Sequence, residues 1–258
     1  MLLRFEVRIN YGNCDSMSDA EAFIQEVRAN PGDETPRLIY ADFLEEQGDP
    51  RGEFIRVQVE LAATAPGDAA RGPLLKREQE LLDLFGEEWL EPLRKLGVDG
   101  VSRACFHGGL LEKVRMTADR FIKNGAELCE VEPALHRVQL HKVRPVYHDF
   151  VQLALPEQVQ ELDLTANQLG TLDLESLIAA PWAGHVRSLV LSFNQLGNDG
   201  LVQILAGAWP KLKSLTLDAN QLTDPGMRAL RRSQLYERLE SVSLKANDID
   251  QNLLPAAK

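Results

Sequence analysis

Hydrophobic and polar residues follow one another in the same order at four places in the second half of the chain. The four segments share the pattern L-x-x-L-x-L-x-x-N-x-L and read VQELDLTANQL, VRSLVLSFNQL, LKSLTLDANQL and LESVSLKANDI. The second apolar position falls at Leu162, Leu189, Leu215 and Val242, so the pattern recurs after 27, 26 and 27 residues. Because side chains alternate between the two faces of a strand, each segment predicts a short strand with one buried face.

One asparagine follows the predicted strand in each segment, at Asn167, Asn194, Asn220 and Asn247. The chain turns away from the strand there, and the amide can bond backbone groups that the sheet leaves without a partner. A period of about 20–29 residues with this spacing is the signature of the leucine-rich repeat. Stacked repeats bury their leucines against one another. The predicted fold class is therefore α/β, a short solenoid with parallel strands inside and helices outside.

Two weaker copies of the pattern precede the four clear ones. They are Leu111-x-x-Val114-x-Met116 and Leu135-x-x-Val138-x-Leu140, with Asp119 and Val143 where the asparagine is expected. We therefore expect six strands, a helix over 117–129, and further helices after Asn194 and Asn220. Repeats of this length that carry a helix resemble the ribonuclease-inhibitor class of leucine-rich repeats. That resemblance implies a curved, right-handed solenoid whose strands line its hollow side.

Four helices are predicted in the N-terminal part of the chain. Ser18 and Glu21 have the spacing of a capping box at the start of the first helix. The second helix is predicted over 35–47 with Pro36 in its first turn, the third over 51–61, and the fourth over 74–85, ended by Gly86. The side chains expected to be buried in the first three helices are Phe23, Ile24, Val27, Leu38, Ile39, Ala41, Phe43, Leu44, Phe54, Ile55 and Val57.

Residues 18–62 contain a set of short motifs within these helices. They are Asn30-Pro31, the run from Asp33 to Glu46, Gly48-Asp49-Pro50-Arg51, and Glu53-Phe54-Ile55-Arg56. The segment resembles the repeat-companion domain that accompanies repeat arrays in planctomycetes and some other bacteria. Phe43 stands where that family has a tryptophan, which keeps the packing role. The resemblance covers about 45 residues, and it implies the company of a repeat array without implying an activity.

These patterns divide the chain into three parts. They are a leader or strand over 1–17, a helical repeat-companion and capping domain over 18–100, and a leucine-rich repeat domain of about six repeats over 101–258. A cap is expected because an uncovered terminal repeat exposes its core side to water. The residues expected to cover the first repeat are Trp89, Leu90 and Leu93, and those expected to close the far end are Leu253, Leu254 and Pro255.

Charge narrows the choice of partner. The net charge is −11, of which residues 1–100 carry −10 (11 Lys/Arg, 21 Asp/Glu) and residues 101–258 carry −1 (17 Lys/Arg, 18 Asp/Glu). Phosphate backbones require clustered basic residues, so we expect no nucleic-acid partner. We also expect no membrane span and no secretory signal. Three cysteines, Cys14, Cys105 and Cys129, lack metal-binding spacing, which is typical of reduced thiols in a bacterial cytoplasm.

The sequence contains few motifs that indicate catalysis or the binding of a cofactor or metal. The sequence contains no phosphate-binding glycine loop, no G-x-S-x-G motif and no four-ligand metal pattern. We therefore expect no enzyme activity, no cofactor and no metal. Charged residues do crowd the helical segment, and they fit either a catalytic acid–base set or, as we favour, ion pairs between helices. They are Arg37, Asp42, Glu45, Arg51, Glu53 and Arg56.

Recognition of another protein is expected on the exposed strand positions, with no aromatic anchor among them. The first two strands carry basic residues, the third acidic ones, and the rest small polar ones. A solvated face without a partner is the plainer alternative. The candidate partner-binding residues are Lys113, Arg115, Arg137, Gln139, His141, Glu161, Asp163, Ser188, Ser192, Ser214, Thr216, Asp218 and Lys245, and the same face includes Thr117, Thr165, Val190, Ser241 and Ser243.

The expected function is a non-enzymatic protein-interaction scaffold or adaptor that uses the concave face of the repeat array. A second reading is a regulatory or inhibitory subunit that masks a partner enzyme, as the ribonuclease-inhibitor resemblance implies. The third and least favoured reading is an enzyme that uses the charged residues of segment 37–56.

Overall fold

The computed structural model describes residues 14–30, 32–102 and 105–253, with side chains from Ala20 onward except that of Gln251. The expectation for the leader falls mostly outside these ranges. The chain forms two compact units. The first contains the residues up to Gly86 together with Phe106–Leu110, and the second contains Glu87–Cys105 and the residues from Leu111 onward.

Helices build the first unit. They are α1 (Cys14–Ala29), α2 (Thr35–Glu46), α3 (Arg51–Ala63) and the first part of α4 (Arg71–Leu96). Helix α2 begins where Pro36 can occupy the first turn without loss of a hydrogen bond. Helix α1 begins earlier than the predicted capping box at Ser18, because no glycine or proline between Cys14 and Ser18 stops the helix.

The buried face of α2 differs from the prediction in one instructive way. Arg37, Tyr40, Ala41 and Leu44 are buried, whereas Ile39 is 45% exposed. The four buried residues have i, i+3, i+4 and i+7 spacing, which is a single helical face. Ile39 lies off that face, so its prediction as a core residue is wrong.

Helix α4 is longer than predicted. It continues through Gly86 and Pro92 to Leu96, so the prediction that Gly86 ends it is wrong. A glycine inside a helix costs only about 1 kcal/mol, which apolar packing on either side can offset. Trp89, Leu90 and Leu93 are buried beyond the glycine. The helical part of the chain therefore enters the second unit without a break.

Six parallel strands form a single sheet in the second unit, in the order of the chain, which confirms the predicted strands. Lys113, Arg137, Glu161, Ser188, Ser214 and Ser241 lie side by side across the sheet. This register is the alignment that the repeated pattern predicts. The strands are β1 (Lys113–Thr117), β2 (Arg137–His141), β3 (Glu161–Asp163), β4 (Ser188–Val190), β5 (Ser214–Thr216) and β6 (Ser241–Ser243).

Helices and short 3-10 turns connect successive strands. Between them and the sheet lies a core of leucines together with Trp182 and Trp209, both fully buried. The connecting helices are α5 (Ala118–Val131), α6 (Tyr147–Val151), α7 (Leu174–Ile178), α8 (Gly197–Ala206), α9 (Asp224–Arg231) and α10 (Gln234–Arg238). The 3-10 turns are Arg144–Val146, Thr171–Asp173, Pro181–Gly184 and Gln251–Leu253.

Asn194 joins two repeats through its side-chain amide. Its Oδ1 accepts hydrogen bonds from the backbone N–H groups of Asn167 and Leu169, at 3.1 and 3.0 Å. Its Nδ2 donates to the backbone oxygens of Leu164 and Leu191, at 3.1 and 2.9 Å. The side chain is buried. One asparagine therefore satisfies polar groups of its own repeat and of the preceding repeat.

The same bonding recurs at Asn247 and Asn167, whereas the Oδ1 of Asn220 has no hydrogen-bond partner among the described residues and only its Nδ2 donates, to the backbone oxygens of Leu191 and Asp218. Asn247 Oδ1 accepts from the backbone N–H groups of Asn220 and Leu222, at 2.8 and 3.0 Å. Asn167 Oδ1 accepts from the N–H of Val143 at 2.9 Å, so the weaker repeat with valine in the asparagine place still receives a bond from the next repeat. Asp119 lies in the first turn of α5 and is exposed, so it does not take the role of the asparagine.

We expect Asn194→Ala to lower the free energy of unfolding of the second unit by roughly 2–4 kcal/mol, because several buried backbone groups lose their partner. Its neighbour Gln195 is exposed, and Gln195→Ala should change the value by less than about 0.5 kcal/mol. All three tryptophans lie in the second unit, so urea unfolding followed by tryptophan fluorescence measures the effect. Equal stability of the two variants would contradict the role given to Asn194.

Candidate functional site

The predicted strand face is accessible over most of its length. Thr117 and Ser192 are exceptions, since both are buried and their prediction as surface positions is wrong. Ser192 lies at a strand end where backbone bonds join its repeat to both neighbours, and its short side chain does not reach past them. The positions that are partly or fully exposed are Lys113, Arg115, Arg137, Gln139, His141, Glu161, Asp163, Ser188, Ser214, Thr216, Asp218 and Lys245.

Charges on this face are paired more than the sequence indicated. Arg137 and Glu161 are directly opposite on β2 and β3, and their side chains form an ion pair. The hydrogen bond to the Glu161 carboxylate raises the pKa of Arg137. The expected boundary between a basic and an acidic patch is therefore locally neutralised.

Both aspartates of the face accept hydrogen bonds from backbone N–H groups. Asp163 Oδ1 accepts from the N–H of Thr165 at 2.9 Å. Asp218 Oδ1 accepts from the hydroxyl of Ser243 at 2.6 Å and from the N–H of Lys245 at 2.8 Å. Asp163 therefore holds the end of its own strand and Asp218 the end of the next repeat, which leaves both carboxylates less able to bind a partner.

Strand β1 carries two cations that remain available. His141 Nε2 lies 3.3 Å from Asp99 Oδ2, and the backbone N–H of Asp99 donates to the oxygen of Arg115 at 2.7 Å. Lys113 and the Arg115 guanidinium are exposed, and within the described part of the chain neither forms an ion pair. Two free positive charges therefore mark the β1 end of the face.

A second row of residues borders the face where the strands end. We call it the strand-end row, and each member directly precedes the asparagine position of its repeat. All five have left-handed backbone conformations, with φ between 53° and 57°. The row consists of Lys142, Ala166, Phe193, Ala219 and Ala246.

Phe193 is the exception in this row. It is 64% exposed, and its φ is 55°. The residues at the same place in the two adjacent repeats are Ala166 and Ala219, so the ring stands between two small neighbours. The exposed strand positions carry no aromatic residue, so the candidate anchor lies in the row that borders them. When the four clear repeats are aligned, phenylalanine stands at this position in one repeat and alanine in the other three. That difference could have identified Phe193 from the sequence.

Two open clefts of about 480 Å³ each lie beyond the strand ends and share Arg144 and Gln168. Arg144 Nη1 donates to the backbone oxygen of Gln168 at 2.6 Å and lies 3.2 Å from Asp173 Oδ2. Leu172, which lines the second cleft, is 96% exposed. The edge next to the strand-end row therefore combines an exposed leucine with a paired arginine.

The charged residues of segment 37–56 are arranged between helices. Arg56 on α3 pairs with Asp42 and Glu45 on α2. Arg77 on α4 binds both carboxylate oxygens of Glu53, at 2.6 and 2.7 Å. Four of the six residues, Asp42, Glu45, Glu53 and Arg56, therefore form ion pairs between helices. No cluster of His, Cys, Asp or Glu that could hold a metal ion occurs among the described residues.

Comparison with protein families identifies part of the array. Residues 185–205 and 210–230 match the family described as Leucine Rich repeat. No curated protein matches the chain. Among the described residues, no helix combines the length and apolar character that a membrane crossing requires. Leucine-rich repeats suggest a role in protein interaction.

The Glu53–Arg77 ion pair is expected to make the stability of the fold depend on pH. Hydrogen bonds from Arg77 lower the pKa of Glu53 below its ordinary value of 4.5. The pair therefore stabilises the fold above that value, and the contribution is lost as the pH falls through the lowered pKa of the folded protein. We expect Glu53→Gln to lower stability by about 0.5 kcal/mol at pH 7, since the pair is partly exposed, and by progressively less as the pH falls through the lowered pKa of Glu53.

Glu60 on the same helix is the matched control. It is exposed and forms no ion pair with a described residue. Glu60→Gln should leave the pH dependence of unfolding, followed by circular dichroism, equal to that of the parent protein. Identical pH profiles for the Glu53→Gln and Glu60→Gln variants would remove the Glu53–Arg77 pair as a source of acid sensitivity.

Proposed function

We propose that the protein is a non-enzymatic interaction scaffold that binds another protein through the exposed strand face and the strand-end row. Phe193 is the central contact of this surface. The observation that carries the proposal is a large, exposed aromatic ring on a left-handed backbone in the middle of a row of alanines.

Phe193 is unfavourable for the free protein in two respects. A non-glycine residue in the left-handed region costs roughly 1–2 kcal/mol, and an exposed aromatic ring leaves apolar surface in water. Ala166 and Ala219 occupy the same conformation without the exposed ring. Because the left-handed conformation recurs throughout the strand-end row, the exposed ring is what distinguishes Phe193 from its neighbours. A ring held in one orientation by a rigid array also loses little conformational freedom when a partner covers it.

The surroundings of Phe193 define the partner's chemistry. The ring offers an apolar contact with alanine at the same place in each adjacent repeat, and the strand face that the row borders carries half-buried polar residues such as Thr165, Ser188 and Thr216. Lys113 and Arg115 lie on β1, three strands from β4, which is about 15 Å across the sheet. The partner is therefore a protein that places an apolar pocket or side chain on Phe193 and carboxylates over β1. Binding energy concentrated on one aromatic residue is typical of such interfaces.

We also propose that the array is a solenoid closed at its first repeat by the end of α4. Asn124 on α5 donates to the backbone oxygen of Leu96 at 2.9 Å, and Asp99 bonds to Arg115 on β1. Buried Trp89 and Leu93 lie in the same unit. These contacts support a cap made by the end of α4. The resemblance of segment 18–62 to a repeat-companion domain completes the proposed assignment as a bacterial, cytoplasmic protein.

A photo-crosslinking amino acid at position 193, introduced in the native cell, tests the scaffold proposal. Val202 on α8 is the control position, because it is apolar and 50% exposed but belongs to a helix. We expect a discrete crosslinked protein from position 193 and none from position 202. If the captured protein is an enzyme, its activity in the complex decides between scaffold and inhibitory subunit. Equal crosslinking at both positions would contradict the proposal.

The variant Phe193→Ala separates binding from stability. We expect it to keep or raise the free energy of unfolding, by up to about 1 kcal/mol, because alanine fits this conformation in the neighbouring repeats. Binding to the crosslinked partner should weaken at least tenfold, measured by calorimetry. Val202→Ala is the matched control and should leave binding unchanged. A stable Phe193→Ala variant that binds with full affinity would remove Phe193 from the interface.

A further inference from the structure

A tight turn completes the first unit. His107 and Leu110 exchange backbone hydrogen bonds of 2.8 and 3.1 Å in an antiparallel bridge. The two residues between them, Gly108 and Gly109, have φ angles of 52° and 78°. Two successive positive φ angles within a bridged pair are typical of a type I′ turn, which favours glycine at both central positions. Residues Phe106–Leu110 therefore form a rigid, preformed element.

Phe106, at the start of the turn, is buried in the first unit. Its ring meets Phe54 of α3 edge to face, with centroids 5.5 Å apart. The guanidinium carbon of Arg51 lies 5.5 Å from the centroid of the Phe106 ring, a cation–π geometry. Two residues of the helical motif thus form a binding position for one aromatic ring.

The tip of the turn lies against the helical backbone. The N–H of Gly109 donates to Gln58 Oε1 at 2.7 Å. A Cβ atom on Gly109 would lie 2.4 Å from the Cα of Ile55, so no other residue fits this position. A Cβ on Gly108 would meet only the side chain of Arg37, at 3.2 Å from its Cδ. The contact therefore selects glycine at the second position by shape as well as by backbone conformation.

We propose that the helices of the first unit form a receptor for a turn of sequence Phe-x-Gly-Gly-Leu. The receptor residues are Arg37, Arg51, Phe54, Ile55 and Gln58. The chain's own Phe106–Leu110 occupies the receptor, and the same turn from a second polypeptide binds there when the chain's own turn is expelled. This site lies outside the strand face and assigns a role in peptide recognition to motif residues that otherwise suggest catalysis.

A variant that expels its own turn provides the test. In full-length Gly109→Ala the new methyl group clashes with the backbone of Ile55, so the receptor becomes empty. The probe is a fluorescent peptide with the sequence of residues 105–112, carrying serine in place of cysteine. We expect fluorescence anisotropy to show binding to Gly109→Ala at least tenfold tighter than to the parent protein. A peptide with alanine at the position of Gly109 should not bind.

Gly108→Ala is the matched control for backbone strain. It places alanine at a similar positive φ but meets only a flexible side chain, so its own turn stays bound and the peptide should bind as weakly as to the parent. The double variant Gly109→Ala/Phe54→Ala, which lacks the ring contact, should bind at least tenfold more weakly than Gly109→Ala. The proposal would be overturned if the peptide bound all folded variants with equal affinity. It would also be overturned if the alanine peptide bound Gly109→Ala as tightly as the peptide with glycine.

Hydrogen exchange of the parent protein gives a second test that does not depend on a variant folding. The Gly109 amide, bonded to Gln58, should exchange as slowly as the amides of α3. Exchange as fast as that of an exposed loop would show that the turn is not held, and would overturn the receptor assignment.

Discussion

Hydrogen bonds from the asparagine that follows each of the last four strands are the interaction on which the second unit depends. Strands of three residues supply few ladder bonds, and the chain must leave each strand at once to reach the following helix or turn. The backbone N–H and C=O groups that have no ladder partner where the chain leaves the strand are buried, so each would be costly without another hydrogen bond. The amide of Asn194 serves both its own repeat and the one before it. Leucine packing stabilises the unit and sets the register of its strands, and the amides satisfy the buried backbone groups where each strand ends.

The turn at the strand ends creates the proposed recognition surface. It places the residue before each asparagine, and Lys142 before Val143, in the left-handed region. Alanine satisfies this position at three repeats, where little protrudes. Phe193 places a ring there, next to half-buried polar positions on β4 and β5. A constraint that serves folding in every repeat thereby serves the proposed binding in one of them.

The strands and their register could be predicted from the sequence because they repeat. Contacts between distant residues, and the role of a residue at a variable position of the repeat, could not. The register from Lys113 to Ser241 follows from counting apolar residues, because a one-residue slip would expose the leucines. The pairing of Arg137 with Glu161 depends on that register and on rotamers. Phe193 was missed because the pattern treats its position as variable. Phe106 binds helices about fifty residues earlier, a distance at which local patterns contain no information.

Hydroxyl-radical footprinting of the protein with and without its bound partner tests the central claim most directly, since it measures side-chain accessibility in the unaltered chain. The account predicts that oxidation of Phe193 falls sharply in the complex while oxidation of Val202 on α8 is unchanged. Unaltered oxidation of Phe193 together with protection of Val202 would place the interface on the helical side and contradict the account.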